Sequence, residues 1–219
     1  SVSGALKEGY SNHSATIRLF GTEAEINNAL ASLTYSPSAN FNGNDTLSLQ
    51  SYNSSTNTPI TGVNTLNISV IAVNDAPGSG GAAVVAMAAV SANQVDPAGS
   101  SIATLFGSRF NDSTDAVSGG SSANSLAGIF ITANAASNSQ GTWQWKSDLS
   151  WNNIPATVSS TNALFLSSNT SLRFLPANGS SGSAGSLSLR LVDSSTLLSN
   201  GTAGVNLSVV GGTSAISSD

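Results

Sequence analysis

Side chains able to carry out acid–base or nucleophilic chemistry are scarce in this sequence. His13 is the only histidine, it has no acidic residue close by in the sequence, and the chain contains no cysteine. Glu23 and Glu25 lie at a predicted helix start, where acidic residues cap the helix rather than act as a catalytic pair. No nucleophile elbow or phosphate-binding glycine loop can be recognised. The sequence therefore predicts that the chain is not an enzyme.

The aromatic cluster GTWQWKSDLSW provides a different kind of chemistry. Trp143 and Trp145 alternate along a predicted strand and so share one face, and Trp151 follows the turn SDLS. Three indole rings on one hairpin can stack on a sugar ring, as in a carbohydrate-binding head. Buried aromatic side chains also dominate the packing of β-sandwiches. We therefore favour core or hairpin packing for the three tryptophans.

The composition predicts the elements that position these side chains. The 21 glycines, the abundance of serine and asparagine and the scarcity of helix formers favour strands and turns, so we expect an all-β fold. Charged residues make up 8% of the chain, against about 25% in an average soluble domain. Without cysteine, neither disulfides nor thiolate metal sites are available.

Charge and hydropathy exclude two classes of partner. The six basic residues are scattered and the net charge is -5, so the basic footprint of a nucleic-acid-binding protein is missing. The longest apolar run, residues 82–90, has nine residues, whereas a membrane-spanning helix needs about 20. We expect a buried strand in this run and no membrane span.

The sequence contains an internal repeat with a period of about 140 residues. The phrase LTYSPSANFNGNDTLSL, which begins at Leu33, returns as LRFLPANGSSGSAGSLSL, which begins at Leu172. Equivalent positions alternate as in half-buried strands, and they are Leu33 with Leu172, Tyr35 with Phe174, Leu47 with Leu187, Leu49 with Leu189, Leu66 with Leu207, and Ile68 with Val209. These segments are predicted to be the last strands of a repeated β-sandwich.

The repeat predicts two domains, 1–77 and 78–219. The second is expected to be a complete sandwich, whereas the first has no counterpart of residues 78–139 and is expected to be the C-terminal half of one. A half-sandwich exposes an apolar face and unpaired edges that invite pairing with another chain. Three sources of the other half stay open: sequence removed by a cut, a separate chain, or a subunit that donates strands in a filament or sheath.

One short helix is predicted near residues 22–32, in GTEAEINNALASL. Thr22 and Glu25 form a capping-box pattern, and an apolar stripe follows that is expected to pack on the core: Ile26, Ala29, Leu30 and Leu33. The equivalent segment of the second copy, TNALFLSSNTSL, has no such cap and is expected to have lost the helix.

The motifs SLTYSPSANFNGNDTLSL and AVNDAP, which cover residues 22–77 together with a final strand, resemble the tandem cadherin-like or Ig-like repeats of very large bacterial surface adhesins. The second copy resembles a sister repeat type through VDPAGSSIATLFGSRFNDSTDA, GTWQWKSDLSWNNI and LRFLP. The resemblance implies a secreted stalk at the cell surface, whose modules act as spacers, assembly modules or binding heads. Its partners would be neighbouring modules or subunits, and a cell-surface glycan or protein for a binding head.

The same resemblance implies calcium at the joints between modules. In similar repeats the linker pair, here Asn74 and Asp75, shares an ion with acidic residues near the start of the next module. The candidates are Asp96, Asp112 and Asp115, and carboxylate oxygens are the ligands that Ca²⁺ prefers. The alternative is that the linker aspartate only forms a turn and that the FNDSTDA segment is an ordinary polar loop.

Overall fold

The computed structural model describes residues 13–53, 55–80 and 84–218. The chain divides into two compact units, Ser1–Ala72 and Val73–Asp219, here called unit 1 and unit 2. The boundary lies a few residues before the one expected after residue 77. As a result, the Asn-Asp pair of AVNDAP belongs to unit 2.

Unit 1 contains helix α1 (Glu23–Ala31) and strands β1 (Gly43–Leu49) and β2 (Asn64–Val70). The predicted helix and its capping box are confirmed. The Thr22 side chain accepts a hydrogen bond from the Glu25 backbone N–H, and the Glu25 carboxylate accepts one from the Thr22 backbone N–H at 2.7 Å. These two bonds satisfy donors that a helix start leaves without partners.

Strands β1 and β2 form an antiparallel hairpin in which Leu47 lies opposite Leu66. Since directly opposite residues share a face of the sheet, the register separates two surfaces. The first, here called the apolar face, carries Leu47, Leu49, Leu66, Ile68 and Val70 together with Asp45. The second carries only Asn44, Thr46, Ser48, Thr65, Asn67 and Ser69. This separation is the pattern of a sheet with one side facing a core.

Little of unit 1 is buried. Among its described residues, only Ala29 and Asn42 are buried, although Ala29 lies on the apolar stripe of α1 that was expected to pack on a core. Leu30 and Leu33 of the same stripe are exposed. A two-stranded hairpin is marginally stable by itself in water, so these three elements have little core of their own.

Unit 2 is larger and has its own core. Its described elements in chain order are β3 (Gly78–Ser79), β4 (Ser100–Ser101), α2 (Ile102–Phe106), β5 (Phe110–Asn111), a 3-10 turn (Ser113–Asp115), β6 (Leu126–Asn134), β7 (Gly141–Lys146), β8 (Trp151–Asn153), β9 (Leu164–Ser167), β10 (Ser171–Pro176) and β11 (Leu187–Asp193). Strand β9 occupies the place equivalent to α1, so the expected loss of the helix in the second copy is confirmed.

Two antiparallel sheets of unit 2, ordered β4-β10-β7-β8 and β11-β6-β9, share one hydrophobic core. Ile129 and Ile131 of β6 and Leu172 of β10 are among its buried members. Side chains of Phe130, Phe165 and Val192 form a second cluster that includes Leu207. The three-stranded sheet is therefore covered on both faces. The all-β prediction is confirmed at this level.

Two expected strands of unit 2 are not present. Residues 84–90 of the long apolar run form no strand, although Val85 and Met87 pack against the core; residues 82 and 83 lie outside the described part of the chain. The counterpart of β2 is reduced to a bridge between Val205 and Ala163. Gly204 and Gly211 flank that segment with φ angles of 76° and 69°, and these left-handed conformations interrupt an extended strand.

No helix in the described part of the chain has the length and apolar character that a membrane span requires.

Candidate metal centre

Four segments of unit 2 meet where β6 begins and β11 ends. Since these strands are antiparallel, Asp193 at the end of β11 lies opposite Leu126 at the start of β6, and Asn124 comes just before β6. Pairing of β3 with β5 places Gly78 opposite Asn111, which brings residues 74–75 near residue 112. The resulting group is here called the acidic cluster: Asp75, Asp112, Asp115 and Asp193, with Asn74 and Asn124.

Local hydrogen bonds explain why the chain turns at each of these places. The Asn111 side chain accepts from the Ser113 backbone N–H at 3.1 Å and starts the 3-10 turn that carries Asp115. The Asp193 carboxylate accepts from the Ser195 backbone N–H at 2.7 Å and ends β11. Such bonds from a side chain to the backbone two residues on are typical of Asn and Asp in turns.

Two asparagine amides connect the carboxylates. Asn74 Nδ2 donates to Asp193 Oδ2 at 3.2 Å and to the Ser214 carbonyl at 3.2 Å. Asn124 Nδ2 donates to Asn74 Oδ1 at 2.8 Å and to Asp115 Oδ2 at 3.2 Å. The Asp75 backbone N–H donates to Asp115 Oδ1 at 2.9 Å. These bonds tie the segment after Val73 to the body of unit 2.

Three of the carboxylates are buried: Asp112 is 5% exposed, Asp115 6% and Asp193 0%. Burial raises the pKa of Asp112 because it disfavours the charged form. The backbone N–H of Asn124 lowers that pKa by a hydrogen bond, and the negative charges of Asp115, Asp193 and Asp75 raise it further. The cluster therefore concentrates negative charge at a site shielded from water.

One oxygen of the cluster has no partner. Asp112 Oδ2 accepts from the Asn124 backbone N–H, whereas Asp112 Oδ1 is buried without a hydrogen bond. Buried polar atoms are nearly always paired, and leaving a buried oxygen unpaired costs about 1–3 kcal/mol. An unpartnered carboxylate oxygen among further carboxylates is what an absent cation would leave behind.

The donor set fits a hard cation in chemistry, because Ca²⁺ is held by six to eight carboxylate, amide and carbonyl oxygens. As the side chains stand, no group of three His, Cys, Asp or Glu side chains in the described residues has the spacing of a formed metal site. The Asn74 and Asn124 NH₂ groups fill the gaps instead. Half-turn rotations of these amides would present oxygens in place of donors.

Asp96, the other predicted ligand, is not brought to this cluster. Its carboxylate accepts from Arg173 Nη1 in an ion pair in which the aspartate side chain is 82% exposed and the arginine 6%. Arg173 also donates to the Pro97 carbonyl and stacks 3.9 Å from the centroid of the Trp151 ring. The guanidinium neutralises Asp96 and holds it on the four-stranded sheet.

Sequence reasoning missed Asn124 and Asp193. Asp193 had a signal that was not used, because an aspartate directly follows the alternating run LSLRLV and therefore lies at the end of a strand. Asn124 lies in the polar segment SSANS and has no comparable signal, since its place in the cluster depends on how β6 pairs with β11.

The tryptophans are divided between two faces of one sheet. Trp143 and Trp145 lie opposite Phe174 and Leu172 and pack against the core. Trp151 lies opposite Lys146 and therefore on the other face. The predicted sharing of one face by the first two rings is confirmed, but the three rings do not form one aromatic surface.

Each indole is also engaged within the protein. Trp143 Nε1 donates to the Gly185 carbonyl at 2.6 Å, and its ring meets Phe174 edge-on at 5.2 Å. The Trp145 ring lies where a Cβ on Gly201 would be 2.6 Å from it, and Trp151 contacts Gly99 equally closely. These contacts favour the packing interpretation of the cluster.

Comparisons of the chain with family models, with curated proteins and with solved structures found no match.

Proposed function

We propose that the chain is a structural segment of a secreted repeat protein, a stalk or assembly module, in which unit 2 is an Ig-like or cadherin-like β-sandwich that binds calcium at the acidic cluster. Two observations support this assignment: a core shared by two antiparallel sheets and a buried carboxylate oxygen without a partner beside three other aspartates. The second observation carries the proposal. No catalytic step is assigned to the chain.

Asp112, Asp115 and Asp193 would hold the ion, with Asp75 and the two asparagine amides completing the set. The ion would supply positive charge where the fold concentrates negative charge. Asp75 already donates its backbone N–H to Asp115, and the Ala76 N–H donates to the Gly212 carbonyl at 2.7 Å. These residues therefore fasten the segment that enters unit 2, and a bound ion would stiffen that attachment.

The test is thermal unfolding of the whole chain in chelator and in Ca²⁺. A ligand present at 100 times its dissociation constant and bound only to the folded state adds about 2.7 kcal/mol, or roughly 5–10 °C in the midpoint for a unit of this size. We expect that shift for unit 2 and a smaller one with Mg²⁺, which demands a more rigid octahedral site.

Asp193→Asn should reduce the Ca²⁺-dependent shift, whereas Asp148→Asn, at an exposed aspartate of the same unit, serves as the matched control and should leave it intact. An identical midpoint in chelator and in millimolar Ca²⁺ would rule out the calcium assignment.

A further inference from the structure

The environment of β11 in unit 2 shows what normally lies beside a strand of this repeat. Leu189 of β11 is opposite Ile131 of β6, and Leu191 is opposite Ile129. Both isoleucines are completely buried. Strand β6 is the central strand of its sheet, with β11 on one side and β9 on the other.

In unit 1 the corresponding strand is β1, because the repeat aligns Leu47 and Leu49 with Leu187 and Leu189. Its only strand partner among the described residues is β2. The counterpart of β6 falls in the stretch equivalent to residues 78–139, which the repeat does not supply for unit 1. The consequence is visible in the exposure of the apolar face, where Leu49 is 40% and Leu66 59% exposed.

We propose that unit 1 is an acceptor for one β-strand of the β6 type, which adds beside β1 through main-chain hydrogen bonds and extends its apolar face. The inference rests on the repeat and on the pairing within unit 2. It does not depend on the cation site.

The chemistry of the acceptor selects such a strand over a second copy of the hairpin. The apolar face contains one carboxylate, Asp45, which accepts a hydrogen bond from the Tyr35 hydroxyl at 2.8 Å. Packing two copies of this face together would bring two such carboxylates into one apolar layer, which is costly. The β6 sequence LAGIFITAN has no charged residue and brings two isoleucines to the same face as Leu49.

Edge pairing and side-chain fit would contribute together. Added strands gain affinity from main-chain hydrogen bonds, and alternate side chains determine specificity. In unit 2 the alternate side chains Ile129 and Ile131 belong to the core, whereas Phe130 points into the opposite cluster. A peptide that keeps the two isoleucines should bind, and one that loses them should not.

The experiment adds a peptide with the sequence of residues 124–136 to the whole chain in chelator and measures hydrogen–deuterium exchange. We expect amide exchange within β1 to slow at least tenfold at saturating peptide, whereas a peptide carrying Ile129→Ser and Ile131→Ser has no effect. Chain variants Leu49→Ser and Leu66→Ser should each weaken binding. Val209→Ser, at an exposed valine of unit 2, is the matched control and should not.

Three outcomes would overturn the proposal. The first is unchanged exchange in β1 with peptide bound or absent. The second is slowed exchange only in β9 and β11, which means that the peptide replaces β6 in unit 2. The third is protection of β1 that rises with chain concentration without peptide, which means that a second copy is the occupant. Because the buffer contains chelator, none of these outcomes bears on the calcium assignment.

Discussion

Asp112 connects protonation, stability and cation binding at the level of a single residue. Its pKa is raised in the folded state, mainly by burial. A raised carboxyl pKa stabilises the folded state at pH values below the unfolded pKa, and this contribution is lost as pH rises through the folded pKa. At neutral pH without a cation, ionised Asp112 therefore lowers the free energy of unfolding.

Asp112→Asn should consequently act in opposite directions in the two conditions. In chelator at pH 7 we expect an unchanged or higher midpoint for unit 2, because the amide removes a buried charge and keeps an acceptor for the Asn124 N–H. In Ca²⁺ we expect a lower midpoint than in the unsubstituted chain, because a ligand is lost. Thermal unfolding of both proteins between pH 5 and 7 checks the signs. A lower midpoint in both conditions would mean that the carboxylate only supports the fold.

Arg173 is the second residue with a sharp expectation. Its buried guanidinium donates to the Gln144 side chain at 2.9 Å and to the Pro97 carbonyl at 3.1 Å. Arg173→Met should cost about 2–3 kcal/mol, because buried acceptors lose charged donors. Asp96→Asn should cost less than about 1 kcal/mol, because that carboxylate is mostly in water.

Chemical denaturation of the two variants gives both values. The Ca²⁺-dependent shift should be the same in Asp96→Asn as in the unsubstituted chain, since this residue lies outside the acidic cluster. Equal losses from the two substitutions would contradict the view that the arginine, rather than the ion pair, stabilises this sheet.

At the level of elements, the pairing of β6 with β9 depends on a glycine. A Cβ placed on Gly128 would lie 2.2 Å from the Leu166 carbonyl oxygen and 2.9 Å from the Phe165 ring. Gly128→Ala should destabilise unit 2 by at least about 2 kcal/mol, because backbone rather than a flexible side chain must move. Gly62→Ala, which meets no atom within 4 Å, is the control, and circular dichroism melts compare them. A loss no larger than that of the control would show that the sheet accommodates the methyl group.

Elements with a local signal could be predicted from the sequence. The capping box of α1 depends on residues three apart, and the alternation of β1, β2, β10 and β11 is readable from period-two patterns. The acidic cluster could be predicted only in part, since FNDSTDA and AVNDAP are visible motifs, whereas Asn124 joins them through strand pairing across the sheet. The counterpart of β2 in unit 2 was wrong because the flanking glycines adopt left-handed conformations.

At the level of the whole molecule, the two units differ in how much they bury. Unit 2 has two hydrophobic clusters, whereas the buried residues of unit 1 in the described ranges are Ala29 and Asn42. Local stability follows buried apolar contacts, so the two units should not open with the same free energy.

Hydrogen–deuterium exchange of the isolated chain should therefore show fast exchange in β1 and β2 and slow exchange in β6, β9 and β11. The expected difference in protection is at least a hundredfold, or about 2.7 kcal/mol of opening free energy. Equal protection in the two hairpins would mean that unit 1 has a core comparable to that of unit 2.

The distribution of aromatic residues has an optical consequence. All three tryptophans of the chain are Trp143, Trp145 and Trp151, and all belong to unit 2. Excitation at the red edge of the aromatic band, where tyrosine does not absorb, therefore reports on unit 2 alone. Tyr35 and Tyr52 lie in unit 1, and their emission reports on that unit. The native chain thus contains separate fluorescent reporters for its two parts, and unfolding of each can be followed without an attached dye.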